Sequence, residues 1–278
     1  MKKEGIIVLK DFIIRETTFG IVRRLVFLEK HILSLMRFKE KVTILDIGCG
    51  TGINVTLPLA ERGYSILGVD NDIKTIEKAK ELAGNNPNVA FKCTDFLKWE
   101  GKCQFDVIIC SEVLEHIVNP AFFLSKIHRT LCSRGLLLLT VPNGYGYFEF
   151  EQLILKVMPF LSKWSDNLQH WIVRHFSGQT LKERHNWEWK PENYQRAWST
   201  MARENKHVNR FTVHELRNLL VKSGFEIIEF KGRTFLAGNV LNSLVRDWDS
   251  FLEWNTKIAE RLPLWICSGW MIAALKDK

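Results

Sequence analysis

The chain has 278 residues, of which 46% are hydrophobic and 25% are charged. This composition is typical of a globular protein and excludes a disordered or fibrous chain, and the length suits one substantial α/β domain with additions. The formal net charge of +8 permits an anionic partner, but the basic residues are scattered, so charge alone does not indicate a nucleic-acid-binding protein.

Residues 4–38 are predicted to form a cationic amphipathic segment ahead of the main domain. Apolar residues from Ile13 to Met36 recur near the helical spacing and are interleaved with arginines and lysines, which indicates a helix with one apolar face. Two interpretations stay open: the helix packs on the core, or it forms a surface for anionic lipid or a lid over the substrate. We therefore expect an N-terminal amphipathic helical segment over 1–40, with peripheral membrane contact through 4–38 as its alternative role.

The sequence predicts a cytoplasmic protein. It has no signal-peptide pattern, and no apolar run reaches the roughly 20 residues that a membrane-spanning helix needs. The six cysteines, at 49, 93, 103, 110, 132 and 267, form no C-x-x-C pair. Reduced thiols are therefore expected, and a disulfide framework or zinc site is not.

An apolar run over 42–47 leads directly into three glycines at alternate positions from Gly48 to Gly52. The run is typical of a strand buried on both faces, and the glycines let the backbone turn tightly and approach a nucleotide-like ligand. A dinucleotide fingerprint needs a glycine where the chain has Ile53, and no Lys-Ser/Thr pair of a phosphate-binding loop follows. Asp46 places a carboxylate before the loop, which favours a zwitterionic or cationic ligand over a pyrophosphate.

The eight residues Leu45-Asp-Ile-Gly-Cys-Gly-Thr-Gly52 resemble the first motif of the class I S-adenosylmethionine-dependent methyltransferases, and the resemblance extends over 41–142 and 207–275. It implies an α/β fold with a Rossmann-like, doubly wound sheet of seven strands, the last of them antiparallel. It implies S-adenosylmethionine as the cofactor. The cofactor contacts predicted at the loop and the preceding strand are Asp46, Gly48, Cys49, Gly50 and Gly52.

Strand and helix patterns alternate along the rest of the chain, as in a doubly wound sheet. Pro58 is expected to shorten or kink the first helix after the glycine loop. Thr212 and Glu215 form a capping-box pattern, and Gly224 ends the helix that follows it. Strands are predicted over 42–47, 64–70, 89–93, 104–110, 135–142, 225–230 and 270–275, and helices over 53–62, 73–83, 120–132, 212–224 and 240–260.

Asp70 ends the second predicted strand and lies 20 residues beyond Gly50. From this position a carboxylate accepts both hydroxyls of a ribose, so Asp70 and the adjacent Asn71 are predicted cofactor ligands. The alternative is that these residues cap the helix over 73–83, with one acid capping while Asp70 binds.

Two further residues follow the third predicted strand, at the edge of the sheet where ligands collect. In the methyltransferases that the chain resembles, an Asp at this place contacts the adenine amino group and the next residue packs on the ring. The resemblance therefore assigns these roles to Asp95 and Phe96, and a surface turn is the alternative.

The fourth predicted strand leads into Ser111 and the stretch Glu112-x-x-Glu115-His116. At the start of a helix these three side chains would face one way, and their oxygen and nitrogen ligands suit a divalent cation such as Mg²⁺. The stretch is similar to one in the ubiquinone-biosynthesis O-methyltransferases, where it holds a metal near the acceptor hydroxyl. Metal binding by Glu112, Glu115 and His116 is therefore one expectation, and cofactor contacts from Ser111 and Glu112 are another.

Residues 143–206 interrupt the alternation and hold five of the ten tryptophans. We expect an insertion in the methyltransferase domain, which itself spans 41–278. An aromatic insertion after a strand is a candidate acceptor-binding cap. The alternative is a helical addition with a small core of its own.

These features predict an enzyme that transfers a methyl group to a small-molecule, sugar or lipid-linked acceptor at oxygen. Such a transfer needs a base or a metal. His116 is the first candidate base and His207 is the second, and a satisfied loop histidine is the alternative for His207. The alternatives are an RNA or protein methyltransferase, an NAD-dependent oxidoreductase, and a cofactor-binding module without activity. The oligomeric state is not indicated by the sequence.

Overall fold

The computed structural model describes residues 6–8, 13–100, 105–157, 207–245 and 247–277. Most of the predicted insertion lies outside the described residues, including its tryptophans at 164, 171, 187, 189 and 198 and its histidines at 170, 175 and 185. The described part contains a seven-stranded sheet with helices on both faces and a separate two-stranded hairpin.

The strands form the sheet that the resemblance implies. The strands are β1 (Ile6–Val8), β2 (Ile13–Arg15), β3 (Ile44–Ile47), β4 (Ile66–Asp70), β5 (Val89–Cys93), β6 (Phe105–Ser111), β7 (Leu131–Pro142), β8 (Phe225–Gly232) and β9 (Gly269–Lys276). The order in the large sheet is β5-β4-β3-β6-β7-β9-β8. Pairs among β3 to β7 are parallel, whereas β9 runs antiparallel to both β7 and β8. The predicted fold class is confirmed.

The described helices are α1 (Ile21–Met36), α2 (Thr56–Glu61), α3 (Ile73–Ala83), α4 (Pro120–Thr130), α5 (Tyr147–Val157), α6 (Val213–Lys222), α7 (Asn239–Val245) and α8 (Asp249–Ile258). Their ends follow the sequence signals. Thr212 and Glu215 form the capping box of α6, and Gly224 follows this helix with a φ of 82°, a value that favours glycine.

Side chains alternate between the two faces of the sheet, and each face has its own core. On one face Ile44, Val107 and Leu138 pack with Phe27 and Leu28 of α1. On the other face Leu45, Ile108 and Leu139 of the same strands pack with α4 and α6. Because a strand turns successive side chains to opposite faces, Asp46 lies on the face that α1 covers.

The N-terminal segment differs from the purely helical expectation. Residues 6–8 and 13–15 pair as an antiparallel hairpin, and α1 begins only at Ile21. The helix packs on the core: Leu28 and Ile32 are fully buried.

Two other helices differ from the sequence prediction. Helix α2 begins at Thr56 instead of residue 53, and Pro58 is its third residue. A proline lacks the amide hydrogen that later turns need, so it is tolerated only in the first turn. The helix expected over 240–260 is two helices, because Trp248 adopts φ −102° and ψ 77°, which is not helical.

Within the described ranges, none of the helices is both long enough and apolar enough to cross a membrane. The five cysteines among them, at 49, 93, 110, 132 and 267, are free thiols, as the sequence predicts.

Candidate active site

The residues predicted to bind a cofactor follow the carboxyl ends of adjacent parallel strands. The sheet order places β4 on one side of β3 and β6 on the other, so the chain changes direction across the sheet beside β3. Ligands of open α/β sheets bind at such a switch point, outside the carboxyl ends of the strands.

The glycine loop after β3 requires its glycines. Gly48, Gly50 and Gly52 have φ values of 68°, 56° and 76°, in the left-handed region that side chains rarely adopt. A Cβ on Gly48 would lie 2.4 Å from Cγ2 of Val113, whereas a Cβ on Gly50 would meet no atom within 4 Å. The loop therefore has one packed side and one open side, and Gly50 faces the open side.

Asp46 lies beneath this loop and is only 2% exposed. Its Oδ2 accepts a hydrogen bond of 2.6 Å from Oγ1 of Thr56, which ties β3 to α2. Burial raises the pKa of Asp46 to about 7, against the opposing effects of the Thr56 hydrogen bond and the Arg24 charge. Burial also raises the pKa of the neighbouring Cys49 thiol, with the carboxylates of Asp46 and Asp70 adding to the effect. Cys49 is therefore a neutral thiol, and the preference of Asp46 for a zwitterionic or cationic ligand stays a prediction.

Asp70 faces the glycine loop across the β3–β4 edge. One carboxylate oxygen accepts from the amide of Gly50 at 3.0 Å, and the other accepts from the amide of Asp72 at 3.0 Å. Asp72 caps α3 by accepting hydrogen bonds from the amides of Lys74 and Thr75. Asp72 is therefore the capping acid, and Asp70 lies at the glycine loop. Each oxygen of Asp70 has a further lone pair, which leaves acceptor capacity for ribose hydroxyls.

The two residues after β5 have different surroundings. Asp95 begins a short 3₁₀ turn and accepts from the amide of Leu97 at 2.9 Å. The ring of Phe96 is 5% exposed and packs edge to face against Phe123 at 5.6 Å between centroids. Little of the Phe96 ring is therefore available to an adenine, and both assigned roles stay predictions.

Glu112 is held in an unusual conformation by a bidentate ion pair. Its φ is 58°, which costs free energy in a residue with a side chain. Its two oxygens accept from Arg233 Nη1 and Nη2 at 2.6 and 3.0 Å, and Thr140 donates to the same carboxylate at 2.8 Å. Burial opposes ionisation, but the Arg233 and Arg24 charges and the Thr140 hydroxyl outweigh it and lower the pKa of Glu112 to about 2. Ser111 joins this network through Thr140 Oγ1 and through Nη1 of Arg24.

Arg233 and Arg24 are themselves enclosed by the fold. Arg233 is 3% exposed and Arg24 is 7% exposed. A Cβ at Gly20 would lie 2.7 Å from Cγ of Arg233, and one at Gly269 would lie 2.8 Å from its Nη2. Side chains at positions 20 and 269 would clash with Arg233, so these two glycines make the space that the arginine occupies. Arg24 comes from α1, so the N-terminal helix contributes directly to this site.

The expectation that Glu112, Glu115 and His116 share one face of a helix is wrong. Residues Leu114–His116 form a single 3₁₀ turn, and Glu112 lies outside it with a left-handed backbone. The structure instead brings Glu115, His116 and His207 together, with one ligand atom of each within 4.8 Å of the others.

The predicted magnesium site does not fit these surroundings. The Glu112 carboxylate is committed to Arg233 and Thr140, and burial together with the Glu112 charge raises the pKa of Glu115 well above its usual value. The cluster offers two imidazoles, whereas Mg²⁺ prefers oxygen ligands and water.

His116 and His207, the two candidate bases, are adjacent, with ring centroids 5.2 Å apart. His207 Nδ1 lies 2.7 Å from Oε1 of Glu149, and Arg210 Nη2 lies 3.4 Å from Oε2 of the same carboxylate. Glu149 also lines a cavity of about 330 Å³ together with Phe150 and other residues of α5, a size at the lower end for small-molecule sites.

Four polar residues of the site were missed by sequence reasoning. They are Arg24, Thr140, Glu149 and Arg233. None belongs to a local motif, and each contacts a partner far away in sequence, such as Arg233 and Glu112. The helical periodicity of α1 groups Arg24 with the other basic residues of the helix. In the structure Arg24 is buried and donates a hydrogen bond to Ser111.

The switch-point site and the sheet order define the fold of a class I S-adenosylmethionine-dependent methyltransferase. The model of a family described as "Methyltransferase domain" matches residues 22–229, more than half of the chain. The chain belongs to this family.

Similar proteins agree with this membership over part of their length. The ubiquinone biosynthesis O-methyltransferase of Bartonella tribocorum is 33% identical over 132 residues, which cover 46% of this chain and 52% of that protein. The protein of the same name from Rickettsia akari is 28% identical over 136 residues, covering 46% and 54%. The chain thus spans about half the length of the curated relatives that it matches.

Solved structures share the fold at low sequence identity. The magnesium protoporphyrin IX methyltransferase of Synechocystis PCC 6803, solved with bound SAH, has a TM-score of 0.51 at 14% identity, covering 94% of this chain and 85% of that one. An S-adenosylmethionine-dependent methyltransferase from Mesorhizobium loti has a TM-score of 0.50 at 17% identity, covering 85% and 91%.

Proposed function

We propose that this protein transfers the methyl group of S-adenosylmethionine to a hydroxyl oxygen of a small-molecule, sugar or lipid-linked acceptor. The observation that carries the proposal is the open side of the glycine loop at Gly50, directly beside Asp70. A backbone without a Cβ and a carboxylate with free lone pairs, together at a switch point, suit the ribose of a nucleoside cofactor.

Different residues around this point contact the different parts of the cofactor. Asp70 accepts the ribose hydroxyls, with Asn71 beside it, and Asp95 borders the adenine, with the buried Phe96 next to it. Ser111 and Glu112 border the methionine part. When bound, the cofactor supplies a methyl group on a sulfonium, whose departure needs no covalent help from the protein. The chain's own task is to align an acceptor oxygen at about 3 Å and to accept its proton.

The acceptor side of the site is proposed to lie at His116, His207 and the cavity along α5. His116 is the last residue of the 3₁₀ turn that follows β6, and the ring of His207 lies beside it. The cavity has apolar walls, since Phe150 and Leu153 are 59% and 58% exposed at its rim. The names of the relatives support oxygen as the acceptor atom.

Calorimetry with the purified chain tests the cofactor assignment first. Micromolar binding of S-adenosylhomocysteine and no binding of NAD are expected, and binding of NAD alone would overturn the proposal. A panel of hydroxylated aromatic, sugar and lipid-linked compounds with radiolabelled S-adenosylmethionine then tests for the acceptor. Label transfer to RNA or protein only would replace the small-molecule acceptor.

A second proposal concerns the outer side of α1. Val26, Lys30, Leu33 and Arg37 are exposed at helical spacing, and Phe38 is 89% exposed. An exposed stripe of apolar and basic residues suits the surface of an anionic membrane. Co-sedimentation with phosphatidylserine vesicles that is weakened by Leu33→Ser and by 0.5 M salt is expected. Absence of sedimentation with these vesicles would refute this contact.

A further inference from the structure

Glu149 and His207 form a carboxylate–imidazole pair next to the cofactor end of the sheet. Glu149 lies in the first turn of α5, and its Oε1 is 2.7 Å from His207 Nδ1. The two side chains are 13% and 24% exposed, so the hydrogen bond is shielded but the imidazole is reachable from solvent. A carboxylate accepts only, so the shared proton at this contact belongs to Nδ1.

The backbone around His207 is fixed as firmly as its ring. The amides of Val208 and Asn209 both donate to the carbonyl of Glu115 at 2.9 Å, and Asn209 Nδ2 donates to the carbonyl of Ile117 at 2.6 Å. These bonds attach the segment to the turn that follows Ser111 and Glu112. His207 is therefore held by the residues that follow it and by the contact at Nδ1.

The neighbouring His116 lies beside another carboxylate, that of Glu115. Its Nε2 lies 3.8 Å from Glu115 Oε1, which exceeds a hydrogen-bond distance. The ring orientation and the tautomer of His207 are set by the Glu149 carboxylate at hydrogen-bond distance.

We propose that Glu149 is a positioning residue that holds His207 with its proton on Nδ1 and its lone pair on Nε2, which makes His207 the base for the acceptor hydroxyl. The inference rests on the proposed methyl transfer to oxygen. It adds a residue that no sequence motif marks. Glu149 also lines the cavity along α5, so the carboxylate of the pair borders the proposed acceptor site.

Methyl transfer to oxygen moves one proton to the protein and leaves one electron pair on sulfur. The acceptor oxygen forms its bond to the methyl carbon while the bond from that carbon to sulfur breaks, and the bonding pair remains on sulfur. The hydroxyl proton moves to Nε2 of His207. The resulting imidazolium is stabilised by the Glu149 carboxylate and later releases the proton to water.

Nuclear magnetic resonance reads the tautomer without any acceptor. The full chain is labelled with ¹⁵N-histidine, His207→Gln assigns the ring signals, and spectra are recorded at pH 8.5 with and without S-adenosylhomocysteine. We expect a protonated Nδ1 and an unprotonated Nε2 for His207. In Glu149→Met the acceptor of the Nδ1 proton is lost, so the Nε2–H form that neutral imidazole prefers should dominate.

Arg210→Gln is the matched control, because it removes the cation beside Glu149 and leaves the hydrogen bond to His207. This variant should keep the wild-type tautomer, and all variants should bind S-adenosylhomocysteine within about twofold of the wild type. With the most active acceptor of the panel, Glu149→Met should lower kcat roughly tenfold or more and leave the KM for S-adenosylmethionine unchanged.

An Nε2–H tautomer in the wild type, or an unchanged tautomer in Glu149→Met, would overturn the inference. Failure of the wild type to bind S-adenosylhomocysteine would instead refute the proposed function, since the tautomer is read independently of binding. If Glu149→Met does not fold, Glu149→Gln replaces it in the experiment. The glutamine amide can either donate a hydrogen bond to Nδ1 or accept one from it. That variant should show a mixture of tautomers, and a pure wild-type pattern would again overturn the inference.

Discussion

Replacing Arg233 by Met should destabilise the protein through the carboxylate that it leaves behind. The arginine is 3% exposed, and the Glu112 side chain is 32% exposed. A pKa of Glu112 lowered from 4.5 to about 2 corresponds to roughly 3 kcal/mol in favour of the ionised form. Solvent screening at a side chain that is one-third exposed reduces this to about 2 kcal/mol. We therefore expect Arg233→Met to lower the free energy of unfolding by about 2 kcal/mol at pH 7.

The pH dependence of this loss has a definite sign. A carboxyl whose pKa is lowered by folding contributes stability that is present above its unfolded value of 4.5 and is lost as the pH falls through about 2. The difference between the wild type and Arg233→Met should therefore be largest above pH 4.5 and shrink as the pH approaches 2.

Urea unfolding followed by far-UV circular dichroism, from pH 7 to pH 2.5, measures both effects. Arg261→Met, at an exposed arginine, is the control and should change stability by less than about 0.5 kcal/mol. Adding Glu112→Gln to Arg233→Met should recover part of the loss, because no charge is then left unpaired. Equal stability of Arg233→Met and the wild type at pH 7 would refute the reasoning.

Three further changes test the cofactor site by calorimetry with S-adenosylhomocysteine and by a chelator assay. Gly50→Val should abolish binding, because the valine side chain enters the open side of the loop. The control is Gly63→Val, at an equally open glycine with φ 89°, which should only lower stability. Binding by the Gly50 variant would contradict the loop assignment. Asp70→Ala should weaken binding at least tenfold, while Asp72→Ala should leave affinity unchanged and cost about 1 kcal/mol as a lost helix cap. EDTA should leave turnover intact, since the Glu112 carboxylate is occupied, and restoration of a lost activity by Mg²⁺ would show a metal requirement.

Local signals in the chain were sufficient for most of the fold. The bounds predicted for α3 and β5 are those observed, because Asp72 and Gly84 mark the ends of the helix by capping and by a left-handed turn. The N-terminal hairpin was missed, since three-residue strands carry too little periodicity to be told from a helix. The division between α7 and α8 was missed for a related reason, as no proline or glycine marks the break at Trp248.

The sequence by itself determined the parts of the site that depend on backbone geometry at consecutive positions. Only glycine adopts the φ values of the loop without cost, and the end of a parallel strand places Asp70 beside that loop, so spacing along the chain predicts both. The tertiary structure decided the ionic and proton-transfer contacts. The partners of Glu112 and His207 are Arg233 and Glu149, which lie 121 and 58 residues away. No local periodicity connects residues so distant, because their pairing depends on how α1, α5 and β8 pack around the sheet.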